Sequence, residues 1–294
     1  MQDLNQKLTK KPSTMSEYQF YEFKTIDKVL TQKEKDEISS WSSRSMASNT
    51  GVTFDYSYSS FPKNELEVVE LYFDAMFHIS NWGDTRLMFK IPSELVNAKE
   101  LIQYTTDDFE VYEEEDCVII DFWISNEDGG RGWIDGEGVL SSLIPLRNDI
   151  ISGDYRSLYL IWLKVSTEDI LNERNSFIDP QSEEPTVPDG LKTLSPALLE
   201  LVEVFEINKD MITSAAENSR EPTSDSVKDY KKSIIALPER EKTKWLLRLL
   251  DNEALLSSKL KKQLETTIDI HKESRTKRTV EEIIAKANQL QKAT

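Results

Sequence analysis

Asp74 and His78 stand four residues apart in a stretch whose apolar residues recur every three or four positions. On a helix that spacing lets the two side chains meet. A carboxylate beside an imidazole orients it and raises its pKa, which suits general acid–base work or support of a metal ligand. The plainer reading is an electrostatic pair on a helix surface. His78 is one of two histidines, the other being His271, so histidine chemistry is confined to this place. A third candidate, Asp121, interrupts Cys117-Val-Ile-Ile-Asp-Phe-Trp-Ile. On a strand it shares a face with Cys117, Ile119 and Trp123, so it must be paired or lie at an exposed edge. Arg86, Arg131 and Arg147 are the candidate partners. If Asp74, His78 and Asp121 converge beside Arg86 or Arg131, the chemistry is that of a metal-assisted hydrolase.

Between Asp107 and Glu137 lie twelve carboxylates, one basic residue (Arg131), Trp123, Trp133 and four of the nine glycines, with a fifth at Gly138. The loop from Asn126 is not an EF-hand, because Arg131 occupies the position where the sharp turn needs glycine. It is no calcium-binding repeat either, since a single copy cannot stack. Walker A, dinucleotide and nucleophile-elbow motifs are absent. No metal centre and no cofactor is expected. The reading that remains is a glycine-rich turn presenting an aromatic anchor to a partner, with Trp123, Arg131, Trp133, Asp135 and Glu137 as binding residues. The alternative is an ordinary pair of acidic hairpins.

Around these residues the sequence predicts an α+β half with a mixed or antiparallel sheet, followed by an all-helical part. Strands are expected near residues 18–26, 52–58, 86–91, 109–112 and 118–124. Thr31 and Glu34 form a capping box for a short helix. The strongest helix is expected over residues 64–80, with Val68, Leu71, Tyr72, Ala75, Met76 and Ile79 buried, Asp74 and His78 on the polar side, and Gly83 as its stop. A helix from Ser93 to about Tyr104 follows, then residues 139–150 and 155–165 read most simply as two helices, the second being apolar enough for a strand as the alternative. No regular βαβ alternation occurs, which argues against a doubly wound sheet. Four of ten prolines fall between residues 180 and 196. The expected organisation is a polar arm (1–14), an acidic α+β domain (15–178), a proline-rich linker (179–195), a helical domain (196–256) and a mildly basic helical tail (257–294). Six helices are expected beyond the linker, near residues 196–206, 208–217, 226–236, 239–251, 253–273 and 280–291. Ser195-Pro196 starts the first and a Thr279–Glu282 capping box the last.

The net charge of −17 is uneven: residues 1–190 carry −19 and residues 191–294 carry +2. An acidic half repels phosphates, so direct nucleic-acid binding by the N-terminal domain is not expected. It permits a basic protein partner or mimicry of DNA. The basic tail lacks the interleaved aromatics of a single-strand binder. Apolar runs are far shorter than a membrane span needs. The first sixteen residues lack the apolar core of a secretory signal, and one cysteine excludes an internal disulfide. Together these favour a cytoplasmic protein.

The opening Ser-Glu-Tyr-Gln-Phe-Tyr-Glu-Phe (16–23) and the block Tyr-Phe-Asp-Ala…His-Ile-Ser-Asn-Trp-Gly (72–83) resemble a family of uncharacterised bacterial proteins, as do Leu-Ser-Pro-Ala-Leu (194–198) and Ala-Leu-Pro-Glu (236–239). The resemblance implies a bacterial, cytoplasmic protein and carries no activity to any residue. The leading expectation is a non-catalytic interaction or scaffold module binding protein partners. The hydrolase and an acidic DNA mimic, antagonising a basic nucleic-acid-binding protein, are the alternatives.

Overall fold

The computed structural model describes residues 18–57, 59–125, 136–171, 179–221, 230–265 and 277–293. In chain order the elements are β1 (Gln19–Lys24), α1 (Gln32–Ser39), β2 (Gly51–Tyr56), α2 (Glu65–Tyr72), β3 (Ala75–Ser80), β4 (Thr85–Pro92), α3 (Ala98–Leu101), β5 (Phe109–Glu113) and β6 (Cys117–Ile124). Helices follow: α4 (Val139–Ile151), α5 (Arg156–Leu171), α6 (Pro196–Val204), α7 (Lys209–Ala216), α8 (Tyr230–Ala236), α9 (Glu239–Leu250), α10 (Leu256–Glu265) and α11 (Val280–Ala293). The strands form one antiparallel sheet in the order β2-β1-β3-β4-β6-β5. The fold is thus α+β with an antiparallel sheet in its first half and helices in its second.

Alternation along each strand divides the side chains between two faces. Phe20, Phe77, Leu87, Phe89 and Phe122 belong to a core shared with α4 to α7 and α11. Phe23, Phe54, Met76, Met88 and Ile119 pack on the other face with Ile38 of α1 and Val68 and Val69 of α2. The sheet is therefore the middle of three layers.

The helix expected over residues 64–80 is instead two elements. It ends at Tyr72, Phe73 turns extended, and residues 75–80 form the central strand β3. Every side chain of β3 is buried, because both faces are covered. A doubly covered strand reads as an unbroken apolar run, and such a run fits helical spacing as well as strand spacing. Leu71, expected in the core, is exposed, whereas Asp74 and His78, expected on a polar face, are buried. Gly83 does not stop a helix. It turns the β3–β4 hairpin with a φ of 119° that disfavours a side chain. The helix expected from Ser93 to Tyr104 breaks into the short α3 between two 3-10 turns. Both capping boxes form, at Thr31–Glu34 and Thr279–Glu282, and Ser195 caps α6 ahead of Pro196.

The proline-rich segment 179–195 packs against the helical layer. Val187 and Leu191 are buried. Thr186 O accepts from the Tyr104 hydroxyl at 2.8 Å, and Leu191 N donates to Ser219 Oγ at 2.9 Å. At its centre Glu184, 1% exposed, accepts from Arg278 Nε (3.0 Å) and Nη2 (2.9 Å), the Tyr159 hydroxyl (3.0 Å) and Asn218 Nδ2 (3.1 Å). Arg278 also donates to Ser214 O at 2.9 Å. One ion pair thus joins the segment to α5, α7 and the start of α11.

Removing one partner of a buried pair strands the other as an uncompensated charge. Arg278→Ala should therefore cost about 3–5 kcal/mol. The neighbouring exposed pair Lys277–Glu183, at 3.4 Å, is solvent-screened, so Lys277→Ala should cost under about 1 kcal/mol. Urea unfolding of the two variants checks this; equal losses would contradict the role given to Arg278.

Candidate functional site

On the face that carries α1 and α2, the helices cover only part of the sheet. At its other end a polar row crosses four strands. Tyr21 on β1 lies opposite His78 on β3, His78 opposite Arg86 on β4, and Arg86 opposite Trp123 on β6. Asp121 shares this face two residues before Trp123, and Glu110 on the edge strand β5 lies opposite Asp121.

Arg86 organises the row. Its Nε and Nη2 donate to the two carboxylate oxygens of Asp121 at 3.0 and 2.7 Å, a two-pronged pair. Glu65, in the first turn of α2, reaches Nη1 at 3.4 Å. The guanidinium lies over the Trp123 ring, 4.3 Å from its centroid. Asp121 is buried as its apolar strand requires, and its partner is Arg86. Burial raises the Asp121 pKa, and the Arg86 hydrogen bonds and charge work against that rise.

Trp123 is 50% exposed despite its stacked arginine. It forms one wall of an open cavity of about 300 Å³, lined by Asp107, Asp108, Glu110, Asp121, Trp123 and Ser125. The described lining is acidic, Arg86 stands beside it, and Trp123, stacked on that guanidinium, is its aromatic wall. Glu110 also accepts from the Tyr112 hydroxyl. Desolvation and that carboxylate push the Tyr112 pKa up to about 12, so the phenol stays protonated. The β3–β4 turn borders the cavity: Asp84 accepts from Ser125 Oγ and from Trp82 Nε1, each at 2.6 Å.

The three acid–base candidates do not converge. Four residues of extended chain separate Asp74 from His78 by roughly 13 Å. Asp74 accepts from the backbone amides of Ile26 and Asp27 at 2.6 and 2.9 Å, where it holds the turn after β1. The ring of His78 stacks on Tyr21 at 4.1 Å, and its Nδ1 lies 3.1 Å from Phe20 O. Arg147, a sequence candidate for pairing with Asp121, pairs with Asp27 instead. Glu137 is exposed ahead of α4, where Gly136 packs on Phe20 of the opposite face, and it does not line the cavity. Arg131, Trp133, Asp135 and His271 lie outside the described residues. Among the described residues no group of three or more His, Cys, Asp or Glu side chains is placed to hold a metal ion, and no helix is long and apolar enough to cross a membrane.

Glu65 and Tyr21 escaped the sequence reading. Each joins the row only through strand register or helix placement, and neither carries a local signal of its own.

Burial lowers the His78 pKa from 6.5 to about 4. Between these values the unfolded chain binds a proton that the folded chain does not. Stability is therefore lost as pH falls from about 6.5 to about 4. His78→Phe keeps the ring and removes the titration. Wild type should lose up to about 3 kcal/mol relative to this variant across the window. Urea midpoints at pH 7 and pH 4 measure it; a difference that does not change with pH would contradict a buried neutral imidazole.

No protein family, curated protein or solved structure matches this chain, so the site stands on its own geometry.

Proposed function

We propose that this chain is a non-catalytic protein-interaction module of a bacterial cytoplasmic system, and that its acidic cavity receives a lysine or arginine side chain of a protein partner. The observation that carries the reading is the half-exposed Trp123, fixed by Arg86 beside Asp107, Asp108 and Glu110. A rigid aromatic wall gives a cation an attractive face. Carboxylates around it supply charge-assisted hydrogen bonds. Anchoring costs little entropy, because the Arg86–Asp121 pair already orders the wall. The separation of Asp74 from His78, and a His78 ring that stays neutral to about pH 4, weigh against the hydrolase alternative.

A hexa-arginine peptide is a suitable probe, read by tryptophan fluorescence or calorimetry. Attraction to a chain of charge −17 would by itself be indifferent to Trp123→Ala, which removes no charge. The cavity reading requires Trp123→Ala to weaken binding about five- to tenfold, as expected for an aromatic anchor. Glu115→Gln, on the exposed β5–β6 turn outside the cavity, should change it less than about twofold. Equal binding by wild type and Trp123→Ala would refute the reading.

A further inference from the structure

The wall of the acidic cavity already holds one guanidinium. Arg86 is 8% exposed and lies 4.3 Å from the centroid of the Trp123 ring. At the same time its Nε and Nη2 donate to the two oxygens of Asp121 at 3.0 and 2.7 Å. Stacking and two-pronged pairing coexist because a guanidinium is flat. Its faces meet a ring while its N–H bonds point outward in the plane. Arg86 does not line the cavity, whereas Asp121 and Trp123 do. The half-exposed indole thus has Arg86 on one side and open space on the cavity side.

Strand register sets carboxylates beside that open side. Asp121 on β6 lies opposite Glu110 on β5. Trp123 N donates to Asp108 O at 2.9 Å, which continues the register and sets Asp108 across from Trp123. Asp108 and Glu110 both line the cavity. Two residues apart on extended chain, they emerge about 7 Å from one another. Glu110 also accepts from the Tyr112 hydroxyl. An ionised carboxylate has about four acceptor sites, so capacity remains.

We propose that the cavity selects arginine over lysine. The partner's guanidinium stacks on the open side of Trp123 and donates in its own plane to Glu110 and Asp108, repeating the Arg86–Asp121 arrangement across the ring. This selection rests on the cavity receiving a basic side chain at all. A lysine ammonium is a compact point charge with no face to lay on the indole, and it sheds a tighter hydration shell. It also gains less from the ring. Arg86 already draws on the π-density from the other side, so a second cation profits from flat contact more than from charge.

Hexa-arginine and hexa-lysine carry equal charge, and calorimetry on the full chain compares them. Wild type should bind hexa-arginine about tenfold tighter, the weight of one hydrogen bond to a charged group. Acidic surfaces in general favour arginine, so the preference must depend on the cavity. Trp123→Ala and Glu110→Gln should each reduce it to about twofold or less, with hexa-arginine losing more than hexa-lysine. Glu110 is exposed, so its variant keeps the fold even where Trp123→Ala loosens Arg86. Glu115→Gln removes one exposed charge outside the cavity and should leave the ratio unchanged. Equal affinity of wild type for the two peptides overturns the selectivity. If both peptides then weaken together in Trp123→Ala, the cation site itself stands. A preference that survives both Trp123→Ala and Glu110→Gln also overturns the proposal, because it lies outside the cavity. Indifference of both peptides to Trp123→Ala refutes the cavity reading and the selectivity with it.

Discussion

Arg147 is the side chain on which the assembly of the layers turns. It comes from α4, is fully buried, and reaches beneath the closed end of the sheet. Its Nε donates to Lys90 O on β4 at 2.7 Å, and its terminal nitrogens pair with Asp27, just past β1. The amide of Asp27 is in turn bound by Asp74 at the entry to β3, and Lys90 Nζ lies 3.8 Å from Asp74. One cation thus ties the helical layer to three adjacent strands. Apolar packing alone would let a helix slide along the sheet. A buried guanidinium cannot slide, because each donor that loses its acceptor leaves a desolvated polar group unpaired.

Three arginine–carboxylate pairs sit at three seams, and their surroundings give them different work. Arg147–Asp27 closes the sheet end, and Arg278–Glu184 closes the helical layer over the segment 179–195. Neither pair carries an exposed aromatic. Arg86–Asp121 lies on the same face of the sheet as the α1 and α2 layer, at its margin, where only Glu65 in the first turn of α2 reaches it among the described residues. It has the same two-pronged geometry, yet its guanidinium also carries a half-exposed tryptophan. That difference separates a structural staple from a candidate binding surface. Strain or unpaired groups do not distinguish it, because Arg86 and Asp121 satisfy one another.

Local chemistry was legible in the sequence and non-local chemistry was not. Thr31–Glu34, Ser195-Pro196 and Thr279–Glu282 mark helix starts through contacts three residues apart, and all three form. A mixed or antiparallel sheet followed by a helical second half was expected from patterning at the same short range, and the strand pairing itself decides for antiparallel. β3 was misread because burial on both faces erased its alternation. That single error moved Asp74 and His78 from one helix face to distant points of a strand, and with it dissolved the acid–base pair. Asp121 was legible as an anomaly, since a carboxylate among Cys117, Ile119 and Trp123 needs a partner. Choosing Arg86 over Arg147 required the β4–β6 register. Glu184 and Arg278 are 94 residues apart, and no pattern in either segment announces the other.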